Sequence, residues 1–543
     1  MKKKSVRHVF FLAVSIAALL TLIPPALVTV GAMDNPRKCF REIASGGNDD
    51  PMNNYAWSMY EYKGNLYMGT GRNILYQVGL MLKSQGLIPS GLTLESATHP
   101  RGAIGSRTWA QEMAAQIWQY KNRKWQAVYV SDVVDISGNG TVLVPRVSGF
   151  RDMISFTDKN GNTALYASQG SQISAYSDGT SLLFKSTTGS TWNLVSTPAL
   201  GTDSRALAVH SGYLCIGLSY AYGASSKAQI WASNEPGSDA SKWQMIADFS
   251  ADGNTAVVSM ATFNGYLYAG TLNRTSGYQV WKGRFDAKKG KSLAVAWTKV
   301  VEYGGGDKAN IFAGTMQVFG NYLYVGSMSW PVVNGSNIPK GFELIRIDSS
   351  DKYSLVVGDK KALLPPSKPA TGRNPLSKWP AGFGNPFNLY CWSMTEVRGT
   401  FYLGTFDSSI LIVELIKQGV SYQDLSEEQR AEIESALKKI LDKAQELGMT
   451  EDLPELIKVF EAYQNGANGW QEILDVLIHW FCGGDMWKST DGVTWVPVFL
   501  NGMDNPHNYG IREFVDSARA FYIGTANPFD GFEVFKADPR RLP

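Results

Sequence analysis

Residues 59–70 read MYEYKGNLYMGT, and the phrase returns as MATFNGYLYAGT at 260–271, MQVFGNYLYVGS at 316–327 and MTEVRGTFYLGT at 394–405. Weaker copies read LAVHSGYLCIGL at 207–218, FVDSARAFYIGT at 514–525 and MISFTDKNGNTALYAS at 153–168. Each is a hydrophobic strand, a turn, and a second strand that in most copies closes on Gly-Thr or Gly-Ser. Seven copies, mostly about 50 residues apart once insertions are set aside, are the signature of a circular repeat fold whose units share one core. In such a fold the repeats specify the scaffold, and the places where they differ carry the function.

Every copy is followed by a second half. A third strand ends in an aromatic residue (Trp118, Phe184, Trp231, Trp281, Trp487, Phe535, with Ile345 in one copy). A fourth carries Trp125, Trp192, Trp243, Trp297 or Trp495, with Tyr353 the poorest match. Four strands per unit with alternating burial is the pattern of a sheet packed on both faces. The last copy stops after its third strand, and KCFREIASGG at 38–47 supplies a fourth with Phe40 in the Trp position. Pairing the chain ends removes the exposed edge that an open array would leave. The expected fold is therefore all-β. It is a seven-bladed β-propeller over residues 38–543, closed by its N- and C-terminal strands, with a helical insertion at 408–482 in blade six.

Two turns, KSTTGSTW from Lys185 and KSTDGVTW from Lys488, resemble the Asp box of sialidase-type propellers. Each is one residue shorter than that box, and the first lacks its Asp. The resemblance implies a sialidase-like repeat architecture with the box as a folding turn on the outer edge. It does not imply sialidase activity, since nothing places a Tyr–Glu nucleophile pair and an acid Asp beside an arginine trio.

The N-terminus reads as an export signal. Lys2, Lys3, Lys4 and Arg7 precede an apolar run from Val9 to Leu22, with small residues at Gly31-Ala32. The stretch Val9–Val30 would also nearly span a bilayer if Pro24 and Pro25 are tolerated, so a membrane anchor stays open beside a cleaved signal over 1–32. Removing that segment takes the formal charge from +3 to −1, which argues against a nucleic-acid partner. Four cysteines in an exported chain permit disulfides, and Cys391 with Cys482 is the expected pair because both fall near one rim of blade six. No metal-ligand or haem spacing occurs, so neither metal nor cofactor is expected.

Counting back twelve residues from the phrase glycine finds one position per blade at the start of the innermost strand. It holds Trp57, Arg205, Val258, Gly314, Trp392 and Arg512, with Arg151 from the second copy. Three arginines and two tryptophans around an axis suit a carboxylate or sulfate together with a sugar or aromatic face; arginines bonding the backbone of a neighbouring blade are the structural alternative. Three entering loops, NDDPMNNYAW, GNPFNLYCW and DNPHNYGIR, resemble one another. Turn chemistry accounts for their Asn and Pro, unless Asn54, Asn388 and Asn508 point amides into the mouth. The third strands open on a polar residue, and Glu343, Asp485 and Glu533 fall in three consecutive blades, the residue type that glycoside hydrolysis needs in pairs. The blade-six insertion carries a capping box at Ser426 and Gln429 and an apolar stripe through Ile433, Leu437 and Ile440.

With no nucleophile, metal or cofactor constellation, the leading expectation is an exported, non-catalytic propeller binding a glycan, peptide or protein partner on its top face. Two alternatives accompany it. One is a carbohydrate-active enzyme, hydrolase or lyase, holding an acidic sugar with Arg151, Arg205 and Arg512. The other is a structural subunit of a cell-surface assembly.

Overall fold

The computed structural model describes most of residues 38–542. Outside the description lie residues 1–37, 77–108, 171–181, 199–202, 220–226, 287–292, 368–372, most of 415–481 and scattered single positions. The export segment, most of the first insertion, and the Ser426 capping box with its apolar stripe therefore lie outside the described residues. No described helix is long and apolar enough to cross a membrane.

The chain is all-β and of propeller type. Among the described residues its strands pair into seven antiparallel four-stranded meanders, beside two short hairpins, Val133–Asp135 with Leu143–Pro145 and Val332–Val333 with Ser336–Asn337. In sheet one the order is Asn53–Tyr62, Asn65–Arg72, Gln116–Lys121, Lys124–Val130. The innermost strands of sheets two to seven are Phe150–Thr157, Asp203–His210, Ala256–Phe263, Asn310–Phe319, Asn388–Val397 and Gly510–Asp516. Each lies beside the innermost strand of the next sheet, and that of sheet seven lies beside that of sheet one. The fourth strand of sheet seven is the N-terminal Arg41–Ala44, which pairs with Val534–Ala537 through Arg41↔Lys536 and Glu42↔Phe535.

The core sits between neighbouring sheets. Between sheets five and six, Phe342, Phe383, Cys391, Leu403, Trp487 and Trp495 form one buried cluster, with Phe383 stacked on Trp487 at 4.0 Å. Between sheets seven and one, Ala56, Met59, Val515, Tyr522 and Phe532 form another. The phrase glycine is what lets the sheets approach. A Cβ at Gly69 would lie 2.4 Å from the Cβ of Phe150 in the next sheet, and one at Gly524 would lie 2.7 Å from that of Ala56.

The phrase tyrosine fastens the outer edge. Tyr166 donates to the Pro236 carbonyl of sheet three (3.3 Å), and Tyr268 to Asp351 of sheet five (2.8 Å). The two Asp-box-like turns meet the same tyrosine column. Gly492 packs on Tyr324, and Gly189 packs on Tyr67. In the turn at 489–494, Asp491 accepts the backbone N–H groups of Val493 (2.8 Å) and Thr494 (2.6 Å), which hold its carboxyl down to about 2 despite some desolvation.

The expected disulfide between Cys391 and Cys482 does not form, and Cys39 and Cys215 are likewise in no disulfide. Cys391 is committed to the seam between sheets five and six, where Gly326 makes room for its sulfur. A Cβ at Gly326 would lie 2.4 Å from that Sγ.

Candidate functional site

All seven innermost strands carry a β-bulge against their neighbour. The residue skipped by the register is Trp57, Arg151, Arg205, Val258, Gly314, Trp392 or Arg512 in turn. A bulge inserts an unpaired residue and re-aims its side chain. The position found by counting back from the phrase glycine is thus a backbone feature of every sheet, whatever side chain occupies it.

Three of these side chains are guanidinium groups that sense one another. Arg151 and Arg205 share one carboxylate oxygen of the fully buried Asp203, at 3.5 and 3.7 Å. Burial, together with the charges of Arg205 and Arg512, pulls Arg151 down to about 9, with Asp203 opposing them. All three arginines act on the Tyr390 hydroxyl of sheet six, which burial nevertheless raises to about 12. Sheets two, three, six and seven therefore meet in one electrostatic neighbourhood. The hydroxyls of Tyr55 and Tyr509 touch beside it.

Each arginine lies against an aromatic ring: Arg151 over Trp57 at 4.4 Å, Arg205 over Phe312 at 5.2 Å, Arg512 over Trp392 at 5.4 Å. Trp57 is buried and Trp392 half-buried. The tryptophans thus back the guanidiniums instead of presenting free faces to a sugar. Arg205 Nε donates to Ser219 (3.0 Å), whereas Nε of Arg151 and of Arg512 is buried with no hydrogen-bond partner. An unpaired buried donor costs about 1–3 kcal/mol, more on a charged group.

The asparagines and third-strand acids have a different fate. Four residues before the bulge stands Asn53, Asn254, Asn310, Asn388 or Asn508 in five sheets. Its Nδ2 donates to a carbonyl of the preceding turn, as Asn388 does to Gly382 (3.1 Å) and Asn508 to Gly502 (2.9 Å). The same amide reaches the polar residue of the third strand: Gln116 (3.1 Å), Gln279 (2.8 Å), Glu343 (2.7 Å), Asp485 (2.6 Å) or Glu533 (2.6 Å). The phrase hydroxyl completes the circuit. Thr405, for example, donates to Asn388 Oδ1 (2.8 Å) and accepts the Asp485 N–H (2.8 Å). The amides of Asn388 and Asn508 therefore do not enter the mouth, and Glu343, Asp485 and Glu533 are anchors of buried backbone. Asn54 lies outside the network; it pins its own loop through Pro51 (2.9 Å) and Ile74 (2.8 Å).

Two carboxyls that sequence reasoning passed over stand immediately after bulges, where other sheets have Ser58, Ala206, Ser259, Thr315 and Ser393. They are Asp152 and Glu513. Asp152 accepts the Leu207 N–H of sheet three at 2.6 Å. Burial raises it to about 7 against that bond, the Met153 N–H and Arg512. Glu513, 3.5 Å from Arg512 Nη1, is also raised to about 7, by burial and by the charge of Asp152. The same count shifted by one would have found both, from the glycine for Glu513 and from the methionine of the second copy for Asp152.

On the loop entering sheet seven, His507 lies 2.7 Å from Asp530 and 3.9 Å from Glu414. Desolvation works against its charge, but these two carboxylates push it up to about 9. Among the described residues no group of three or more His, Cys, Asp or Glu could hold a metal ion.

No family model and no curated protein matches the chain. Solved structures do. A puromycin-hydrolyzing peptidase of Mycobacterium tuberculosis is 10% identical with a TM-score of 0.33, over 69% of this chain and 48% of that one, so the chain spans about half its length. A β-xylosidase/α-arabinofuranosidase from a compost microbial metagenome is 13% identical with a TM-score of 0.28, over 70% and 90%. A GH43_1 enzyme of Xanthomonas citri is 11% identical with a TM-score of 0.27, over 74% and 89%. The similar solved chains are mostly glycoside hydrolases, and the expectation of a non-catalytic binding propeller is corrected on that finding. Likeness at these scores assigns neither substrate nor residues to this chain.

Proposed function

We propose that the protein is a carbohydrate-active enzyme, a glycoside hydrolase or lyase, whose substrate carries an acidic sugar held by Arg151, Arg205 and Arg512. The observation behind this reading is the arginine cluster itself. Arg151 and Arg205 share a single buried carboxylate, Asp203, the charge of Arg512 from a third sheet acts on Arg151, and Arg151 and Arg512 each keep a buried Nε without a partner. Such a cluster carries excess positive charge at a place of low dielectric, where a carboxylate or sulfate gains most from charge-assisted hydrogen bonds.

The scaffold belonging to this reading is a closed seven-bladed propeller of the Asp-box-like kind, with the arginines at the upper end of its axis. The meander pairing, the neighbouring innermost strands and the contribution of the N-terminal strand Arg41–Ala44 to the last sheet support it. An exported enzyme would meet its glycan outside the cytoplasm, in keeping with the basic and apolar N-terminus.

The test is a screen of the full chain on aryl glucuronides, aryl sialosides and uronic-acid polysaccharides, following both reducing-end release and the absorbance of an unsaturated uronide. Turnover on an acidic but not a neutral sugar is expected. Turnover confined to neutral glycosides, or none on any probe, would overturn the reading.

A further inference from the structure

We infer that the Tyr390 hydroxyl is the fourth donor of the arginine site, a binding residue that hydrogen-bonds the anionic group of the acidic sugar. The inference rests on the acidic-sugar reading and adds a residue to it. Tyr390 stands two residues before the bulge of sheet six. That position meets the bulge residue of the preceding sheet. A Cβ at Gly149 would lie 2.0 Å from Trp57 and one at Gly510 would lie 2.1 Å from Trp392, while Asp203 meets Arg151 at 3.5 Å. Between sheets five and six the large and small partners are exchanged: the bulge residue is Gly314, and the residue it meets is Tyr390.

The exchange carries a phenol into the bulge column. A Cβ at Gly314 would lie 1.9 Å from Tyr390 Cε2 and 2.5 Å from its hydroxyl oxygen. The hydroxyl therefore stands where a side chain of sheet five would begin, in the column that holds Arg151, Arg205 and Arg512 in other sheets. Its ring lies between the two rings that carry Arg205 and Arg512. Phe312, perpendicular to it at 5.4 Å, has the Arg205 guanidinium 5.2 Å away. Trp392, on its other side at 5.8 Å, has that of Arg512 5.4 Å away.

Packing does not account for the hydroxyl. Phe312 fills the corresponding place in sheet five without one. Tyr55, the third aromatic at this position, spends its hydroxyl on Tyr509. Tyr390 is half-buried, and its hydroxyl makes no hydrogen bond among the described residues. The phenol keeps its proton at neutral pH, since burial raises it to about 12 against the charges of Arg205, Arg512 and Arg151. A neutral phenol has one O–H to donate, and beside three cations the acceptor it lacks is an anion's oxygen.

Tyr390→Phe in the full chain tests this, because it keeps the ring and its seat on Gly314 and removes only the hydroxyl. Calorimetric affinity for glucuronate, or for sialic acid if that binds more tightly, should fall about tenfold, the worth of a hydrogen bond to a charged group. Thermal unfolding should be unchanged. A carbon-13 label at tyrosine Cζ gives a readout that packing alone would not move. The Tyr390 resonance, identified by its loss in the variant, should shift with the bound acid and not with methyl glucoside. Equal affinity in the two proteins, a resonance indifferent to the acid, or a shift that methyl glucoside reproduces would overturn the inference and leave the acidic-sugar reading intact. Wild type that binds neither glucuronate nor sialic acid would overturn both.

Discussion

Two polar constellations recur around the innermost strands, and they differ in how their hydrogen bonds are spent. The asparagine circuit closes on itself: amide to turn carbonyl, amide to third-strand acid or glutamine, phrase hydroxyl back to the amide oxygen. The bulge column four residues further on changes from tryptophan to arginine to valine to glycine, and two of its arginines, Arg151 and Arg512, keep a buried Nε unpaired. A polar group that recurs with all partners satisfied is part of the scaffold. One that varies and is left with surplus charge has been kept for something else.

The largest test of that contrast is Asn388→Ala. It leaves the Asp485 carboxylate, the Thr405 hydroxyl and the Gly382 carbonyl short of a partner in a buried site. Unfolding in denaturant should show a loss of about 3 kcal/mol, with KM for an acidic glycoside unchanged in the protein that remains folded. A loss within experimental error would mean that the circuit is dispensable and the contrast false.

Arg512→Met should behave in the opposite way. It removes a like charge from beside Arg151 and leaves Glu513 free to take up a proton, so stability should fall by less than about 1 kcal/mol. Affinity for an acidic sugar should fall about 10- to 100-fold, the worth of a charge-assisted bond pair. Equal affinity for glucuronate in the two proteins, measured calorimetrically, would remove Arg512 from the site.

The outer turns give a smaller, purely structural comparison. Asp491 accepts two backbone N–H groups and the Thr494 hydroxyl in the Asp-box-like turn, while the corresponding turn at 186–191 manages with Thr188. Asp491→Thr should therefore cost only about 1 kcal/mol. Because the folded carboxyl is held down to about 2, its contribution is present above the unfolded value of 3.8 and is lost as pH falls towards 2. Melting temperatures of the two proteins should converge in that acid range and differ at neutral pH.

What the sequence made legible follows from the same division. The phrase has constant length, so counting from its glycine reaches the bulge in six sheets, and the methionine gives the seventh. The asparagine circuit was within reach of the same count, since four residues before each bulge stand Asn53, Asn254, Asn310, Asn388 and Asn508. The doubled Asn53-Asn54 drew attention to the wrong neighbour. Asp152 and Glu513 escaped because a single acid after an arginine has no periodic signature; only the serines in the same column of other sheets make them unusual. The absence of a Cys391–Cys482 bond could not be read at all. It depends on Gly326 opening a pocket for the Cys391 sulfur in a different repeat.

The smallest expected effect concerns the loops around the bulge column. His507 joins the loop entering sheet seven to Asp530 of the same sheet and to Glu414 beyond sheet six, and it lies against Phe529 at 4.7 Å. Its folded value is pushed up to about 9 from an ordinary 6.5. A raised value means that the ion pairs stabilise the fold fully below pH 6.5, and that this contribution is lost as pH rises through 9. Partial exposure of His507 and of both carboxylates keeps it to under about 1 kcal/mol. His507→Gln should therefore flatten the stability profile between those two values, with little change at higher pH. If the decline persists in the variant, the loops are held by other contacts. If it disappears together with a change in KM for acidic glycosides, the loops shape the arginine site, and the boundary between scaffold and site lies further out than the bulges.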